Sequence, residues 1–80
     1  MYLVYILRSQ KTDKRYIGYT NNINRRLLEH NSATKGFSLR HKPFFLIFQK
    51  AFECKHDAIA FERYLKRLKG GEQFKKITGA

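Results

Sequence analysis

The 80-residue sequence has little cysteine, little proline and no long apolar run. Cys54 is the only cysteine, which excludes an intramolecular disulfide and a cysteine-based zinc site, and we expect it to be a small buried residue at a strand end. With a single proline and no repeat or low-complexity segment, the chain predicts one domain, residues 1–80. No stretch is apolar over the length of a membrane span, and Met1 leads into a strand-like run rather than a signal peptide, so we expect a cytoplasmic protein.

Acidic residues are also scarce. The sequence has 6 Asp and Glu against 17 Lys and Arg, a formal net charge of +11. The hydrophobic content of 42% indicates a folded domain rather than a disordered tail. So strong a positive bias is typical of a protein that binds a polyanion, and nucleic acid is the expected partner. A solubilising surface or a ribosome-associated structural protein would also account for the charge alone.

Three segments read as strands: 2–7, 15–20 and 44–52, which are rich in β-branched and aromatic residues. A hairpin centred near Gln10 and Lys11 would place Tyr5 opposite Tyr16. The nearly continuous apolar run 44–52 predicts a central strand covered on both faces.

Helices are predicted over 22–31, where Asn22 and its neighbours offer N-caps, over 57–68, ended by Gly70 and Gly71, and over 72–77. The expected fold is α+β, a small three-stranded antiparallel sheet flanked by helices in the order β-β-α-β-α-α.

Several polar residues lie close to the buried faces of these helices. At 100° per residue, Arg26 and His30 lie near the apolar stripe of Ile23 and Leu27, whereas Arg25 lies on the opposite side. We therefore expect Arg26 against the sheet and Arg25 in solvent.

Glu62 lies at the margin of the second helix's stripe, where a carboxylate is costly unless it is paired or binds a cation. It could form an ion pair with Arg26 or hold a divalent metal. An arginine, a histidine and a carboxylate facing two tyrosines provide the groups needed to hydrolyse a phosphodiester.

The sequence resembles the GIY-YIG nucleases, in their compact single-domain branch and in the nuclease domains of DNA-repair and structure-selective enzymes. The two motifs correspond to Leu3-Val4-Tyr5 and Tyr16-Ile17-Gly18, followed by "NINRRLLEH" and "FERYLK". The resemblance implies a metal-dependent endonuclease acting on DNA, structure-selective or directed by a protein partner. The sequence departs from the family pattern at Leu3, where a glycine is usual, and at Tyr19, where some repair nucleases have lysine.

The resemblance also implies roles for individual residues. Tyr5 or Tyr16 would act as general base or orient the attacking water, Gly18 would allow a close backbone approach, and Arg26 would bind the scissile phosphate. His30 would relay a proton or contact phosphate, and Glu62 would hold one Mg²⁺ or Mn²⁺. Tyrosine has a usual pKa of about 10, so it serves as a base only where positive charge favours the phenolate.

The segment 34–42 reads either as a basic loop that wraps a nucleic-acid backbone, extended by the outer side of the second helix, or as a solvated connector. The loop itself does not distinguish DNA from RNA, and DNA is the partner that the resemblance implies. Its predicted contact residues are Lys35, Arg40, His41, Lys42 and Lys66. Phe37 would either stack on a base or fold back onto the core. The main alternative to a nuclease is a non-catalytic nucleic-acid-binding module on the same fold.

Overall fold

In a computed structural model, which describes residues 1–68 and 71–79, three strands form one antiparallel sheet. The strand β1 (Tyr2–Ser9) lies between β2 (Arg15–Thr20) and β3 (Phe44–Phe52). The helices are α1 (Ile23–Asn31), α2 (Gly36–His41), α3 (Lys55–Leu68) and α4 (Glu72–Thr78). The predicted fold class and element order are confirmed, and α2 is an additional short helix inside the segment 34–42 that was predicted to be a loop.

Successive side chains of β1 enter two different cores because strand residues alternate between the faces of a sheet. Val4 and Ile6 pack with α3 and α4, whereas Tyr5 and Leu7 pack with α1 and the start of β3. All four side chains are fully buried. Burial of an aliphatic side chain of this size contributes about 1.5–3 kcal/mol, so β1 is the element on which both layers of helices depend.

The prediction that 44–52 is the central strand is wrong. β3 pairs with β1 on one side and forms an edge of the sheet. Its pairing passes from Ile6 opposite Phe48 to Leu7 opposite Leu46, so Ile47 is the extra residue of a β-bulge. Ile47 and Phe48 consequently pack against the same core. Because the bulge places two successive side chains against one core, both are apolar, and the sequence of this edge strand contains the continuous apolar run expected of a central strand.

The hairpin between β1 and β2 is shifted by two residues from its predicted register. Tyr5 lies opposite Gly18, and Leu7 lies opposite Tyr16. The turn is centred one residue further along the chain because the buried Ser9 Oγ accepts hydrogen bonds from two successive turn amides, at 3.1 and 3.0 Å. A two-residue shift keeps every side chain on its original face, so Tyr5 and Tyr16 still share one face as diagonal neighbours.

Asparagine side chains fix both ends of α1. Asn22 is the N-cap, and its Oδ1 accepts the Arg25 N–H at 3.1 Å. At the other end, Asn31 Oδ1 accepts the Phe44 N–H at 2.6 Å, and its Nδ2 donates to the Phe44 carbonyl at 3.2 Å. These contacts attach the end of α1 to the start of β3 and set the position of the helix over the sheet.

Two further predictions concern the segments around α3. Cys54 is exposed, contrary to the predicted buried position, because the strand has already ended and the residue lies in the bend before α3. The predicted end of the helix at Gly70 lies outside the described residues, while Gly71 is the N-cap of α4. Among residues 1–68 and 71–79, no helix is both long and apolar enough to cross a bilayer.

Candidate active site

A polar cavity of about 470 Å³ opens beside β2. It combines groups from β1, β2, α1 and α3, and it brings together the predicted site residues Tyr5, Tyr16, Arg26 and Glu62. The complete lining is Tyr5, Tyr16, Gly18, Tyr19, Thr20, Arg25, Arg26, Glu29 and Glu62.

The two tyrosines are stacked at the floor of this cavity, with ring centroids 6.3 Å apart and planes inclined by 20°. The hydroxyl end of Tyr5 lies directly over Gly18. A Cβ atom at position 18 would be 2.7 Å from Tyr5 Oη and 2.9 Å from Cζ, closer than side-chain atoms approach one another. Glycine at this position therefore leaves the space that the Tyr5 phenol occupies.

Arg26 reaches the tyrosines from the first turn of α1. The helix begins where Thr20 Oγ1 accepts the Asn22 N–H at 3.1 Å, which directs the chain from β2 back across the sheet. Arg26 Nε then donates to Tyr5 Oη at 3.2 Å, and Nη1 lies 3.3 Å from Glu29 Oε1. As predicted, Arg26 packs against the sheet and Arg25 is exposed.

Burial and the contact between Arg26 and Tyr5 together set the ionisation of both groups. The hydrogen bond with Tyr5 holds the pKa of Arg26 above its usual range, so the guanidinium stays charged. Burial raises the pKa of Tyr5, and the hydrogen bond from Arg26 opposes that rise only in part. Tyr5 is therefore a neutral phenol near neutral pH.

Glu62 projects from α3 into the same cavity, with only 14% of its side chain exposed. Its Oε2 lies 3.7 Å from Lys66 Nζ, one helical turn away. Arg26 forms its ion pair with Glu29 instead, so the alternative of an Arg26–Glu62 ion pair does not describe this structure. The Glu62 carboxylate therefore faces the cavity, and its ion pair with the Lys66 ammonium group is a long one.

The carboxylates of the cavity are compatible with one hydrated divalent cation. Among residues 1–68 and 71–79, no three His, Cys, Asp or Glu side chains are grouped closely enough to enclose a metal. Mg²⁺ does not require such a cage, because it commonly keeps several waters and binds one or two carboxylates plus substrate oxygens. Glu62, nearly buried at the wall of a water-accessible cavity, fits that mode of binding.

His30 lies beneath the cavity rather than in its lining. It is 7% exposed, its Nδ1 lies 2.7 Å from Ser38 Oγ, and its ring centroid lies 4.5 Å from that of Tyr16. Its Nε2 is buried with no hydrogen-bond partner in the part of the chain that the structure describes. Burial, reinforced by the charge of Arg26, lowers the pKa of His30, so the imidazole is neutral at pH 7.

The predicted nucleic-acid contact residues separate into two groups. Lys35, Arg40 and Lys66 are exposed. His41 and Lys42 are half-buried and hold α2 in place: His41 Nδ1 lies 2.6 Å from Thr12 Oγ1, and Lys42 Nζ donates to the Ala33 carbonyl at 3.0 Å. The first group is available for backbone phosphates, and the second supports the fold of the segment.

The sequence of this chain is similar to those of known proteins. The model of the GIY-YIG catalytic domain matches residues 1–76. The chain belongs to this family of nucleases.

Several relatives of this GIY-YIG domain are UPF0213 proteins. One from Clostridium perfringens is 33% identical over 79 residues, covering 98% of this chain and 84% of the relative. One from Limosilactobacillus reuteri is 37% identical over 68 residues, covering 81% and 70% respectively. The solution NMR structure of a UPF0213 protein from Bacillus halodurans is similar, with a TM-score of 0.54 and 32% identity over 95% of this chain and 80% of that one.

The cavity of the GIY-YIG domain also contains residues that the sequence reasoning did not assign to a site. Arg25 is exposed, as expected, yet it lines the same cavity as Arg26. Glu29 pairs with Arg26, and its i,i+3 spacing from that arginine could have indicated the contact. Tyr19 and Thr20 line the cavity because they end the edge strand beside it, which the tripeptide motif alone does not show.

Proposed function

We propose that this chain is a metal-dependent endonuclease that hydrolyses phosphodiester bonds in nucleic acid, DNA rather than RNA. The observation that carries the proposal is one shared cavity. The guanidinium of Arg26, held by Tyr5 and Glu29, faces the same space as the carboxylate of Glu62 and the phenol of Tyr16. A pure phosphate-binding surface has no use for a nearly buried carboxylate, which repels the phosphate.

In this proposal Arg26 binds the non-bridging oxygens of the scissile phosphate. A guanidinium presents several donors in a planar fork, and its charge is fixed here by the raised pKa. Because Tyr5 and Glu29 already hold the side chain, little reorganisation is needed when negative charge develops in the transition state.

The two tyrosines take different roles. Tyr5 is fully buried, its pKa is raised, and its hydroxyl is engaged with Arg26, so it orients the arginine as a neutral phenol. Tyr16 is half-buried and within reach of solvent. Tyr16 acts as the general base and accepts a proton from the attacking water while the water oxygen bonds to phosphorus. The bond to the leaving sugar oxygen breaks, and that oxygen takes a proton from solvent. His30 packs on the Tyr16 ring and keeps it in position.

Glu62 would hold the divalent cation, Mg²⁺ or Mn²⁺, with water and substrate oxygens completing its coordination. When bound, such an ion supplies positive charge to the phosphoryl oxygens and orients the substrate. Because the 3.7 Å ion pair with Lys66 is weak, Glu62 could exchange Lys66 for the cation. Lys66 would then be available to a backbone phosphate.

The surface charge supports binding that does not depend on sequence. A net charge of +11 on a chain of 80 residues attracts any nucleic acid, and such binding weakens steeply with salt. Contacts of this kind do not distinguish one nucleotide sequence from another. We therefore propose that selectivity comes from the structure of the substrate or from a protein partner.

Cleavage of a labelled panel tests the proposal. Duplex, single-stranded, flap and four-way-junction DNA, together with RNA, are incubated with Mg²⁺, with Mn²⁺ or with EDTA. We expect metal-dependent cutting by the wild-type protein and by Glu53→Gln, a matched control at an exposed carboxylate outside the cavity. Cutting should be lost with Glu62→Gln and with Arg26→Ala.

Binding without cutting, equal in the wild-type protein and both site variants, would leave a nucleic-acid-binding module in place of a nuclease. Cutting that continues in EDTA would contradict the metal requirement.

A further inference from the structure

A second cavity, of about 330 Å³, adjoins the first one. Its walls are mainly apolar and are formed by Arg15, Tyr16, Ile17, Phe37 and Lys66. The volume is near the lower end of small-molecule sites, which run from about 300 to 1,000 Å³. The apolar walls favour a flat, uncharged group. The flanking Arg15 and Lys66, on a chain of net charge +11, favour a ligand in which an anion carries that group.

Phe37 forms a fixed platform at this cavity. Its ring is supported by His41, with centroids 4.3 Å apart, by Tyr16 at 6.0 Å and by Phe44 at 6.2 Å, while 41% of the residue stays exposed. Phe37 is therefore neither free nor fully folded back: its ring packs on the domain and keeps an exposed surface. A ring already held in place loses little conformational entropy when a ligand stacks on it.

Two side chains connect this cavity to the candidate active site. Tyr16 lines both cavities. Lys66 lines the second cavity, and its Nζ lies 3.7 Å from the Glu62 carboxylate of the first. Arg15, on the remaining wall, is held with its guanidinium 5.7 Å from the centre of the buried Phe74 ring. A ligand that occupies both cavities must therefore have a phosphate beside a flat ring, as a nucleotide chain does.

We propose that the second cavity binds an unpaired nucleobase next to the scissile phosphate, with Phe37 as its stacking platform and Arg15 and Lys66 on the flanking phosphates. This inference rests on the proposed nuclease function and assigns its substrate class. A base inside a duplex is already stacked on both sides and cannot reach the ring. The substrate is therefore single-stranded or locally unpaired nucleic acid.

Fluorescence tests the contact directly because the chain has no tryptophan. Phe37→Trp introduces one reporter at the platform, and Phe45→Trp introduces one at a similarly exposed phenylalanine on β3 that lines neither cavity. With EDTA present to prevent cutting, a short oligothymidylate should quench the fluorescence of Phe37→Trp and leave that of Phe45→Trp unchanged. A duplex should quench neither.

Affinity provides the second measurement. Base–aromatic stacking is worth about 1–3 kcal/mol, so Phe37→Ala should weaken oligothymidylate binding about 5- to 150-fold and leave duplex binding unchanged. Phe37→Leu, which retains apolar packing without the ring, should lose the same affinity, and this excludes a folding defect as the cause. Phe45→Ala is the matched control.

Equal affinity of the wild-type, Phe37→Ala and Phe37→Leu proteins for the oligonucleotide would overturn the inference, as would quenching by the duplex alone. The two proposals fail separately. Quenching and lost affinity without any cutting by the wild-type protein would retain the base site and refute the nuclease. If Phe37→Ala and Phe37→Leu cut single strands as well as the wild-type protein does, and still require the metal, the nuclease proposal stands and the base site is refuted.

Discussion

Replacing Gly18 by alanine should both destabilise the domain and disable its site. The added Cβ would lie 2.7 Å from Tyr5 Oη, 2.9 Å from Tyr5 Cζ and 3.1 Å from Tyr16 Cε1. Tyr5 is fully buried, so its ring cannot swing into solvent to relieve the contact. Overpacking of this kind costs about 1–3 kcal/mol, and in a domain of this size each kcal/mol lowers Tm by roughly 4–8 °C.

The same displacement should reduce activity at temperatures where the variant is still folded. Movement of Tyr5 Oη breaks its 3.2 Å hydrogen bond from Arg26 Nε and leaves the guanidinium held by Glu29 alone. A misplacement of about 1 Å in a catalytic group can cost roughly 10²-fold in rate. Thermal unfolding followed by circular dichroism, together with single-turnover cleavage, measures the two effects.

A double-mutant cycle isolates the contact. Tyr5→Phe removes the nearest atom and, by itself, loses one hydrogen bond from a charged guanidinium, worth about 1.5–3 kcal/mol. Because the hydroxyl is then absent, Gly18→Ala should cost less in the Tyr5→Phe background than in the wild-type protein. Gly71→Ala, whose Cβ would meet nothing closer than 3.6 Å, controls for the general effect of replacing glycine. Full additivity, or a Gly18→Ala protein as stable as the wild-type protein, would refute the reasoning.

Three other outcomes follow from the site. Arg26→Lys keeps the charge but loses the planar fork and the Nε bond to Tyr5, so single-turnover cleavage should fall about 10²–10³-fold while binding in EDTA changes little. Burial lowers the pKa of His30 below its unfolded value of about 6.5, so the unfolded chain binds more protons in acid. Urea unfolding should show stability falling as pH drops below about 6.5, a loss that His30→Gln reduces. The raised pKa of Tyr5 has the opposite effect: stability should fall as pH rises above about 10, and less so in Tyr5→Phe.

The sequence predicted those parts of the fold that depend on regular periodicity. The alternation of strand residues placed Tyr5 and Tyr16 on one face, and that survived a two-residue error in register because the period of a strand is two. The 100° step of a helix distinguished Arg26, against the sheet, from Arg25 in solvent. Side chains that cap a helix were equally predictable from the sequence, as Asn22 shows at the start of α1.

Features that depend on contacts distant in sequence were not predictable in this way. The bulge at Ile47 changes the face of the residues around it, so a run that reads as a central strand forms an edge. The helix α2 spans only six residues, has no side-chain N-cap and is held by distant groups such as Thr12, which contacts His41. Glu62 was placed correctly at the margin of the apolar stripe of its helix. Whether it pairs with Arg26 could not be predicted, because this depended on whether Glu29 or Glu62 lies nearer to Arg26.

The candidate site also depends on the position of β2 at the edge of the sheet. Arg26 comes from α1, which covers the face that carries Tyr5, whereas Glu62 comes from α3, which covers the opposite face. Two such groups can share one cavity only around the margin of the sheet, and the cavity lies beside β2, where no other strand of residues 1–68 and 71–79 pairs. A fourth strand added beyond β2 would separate the arginine from the carboxylate. The position of β2 at the edge of the sheet is therefore a requirement of this site.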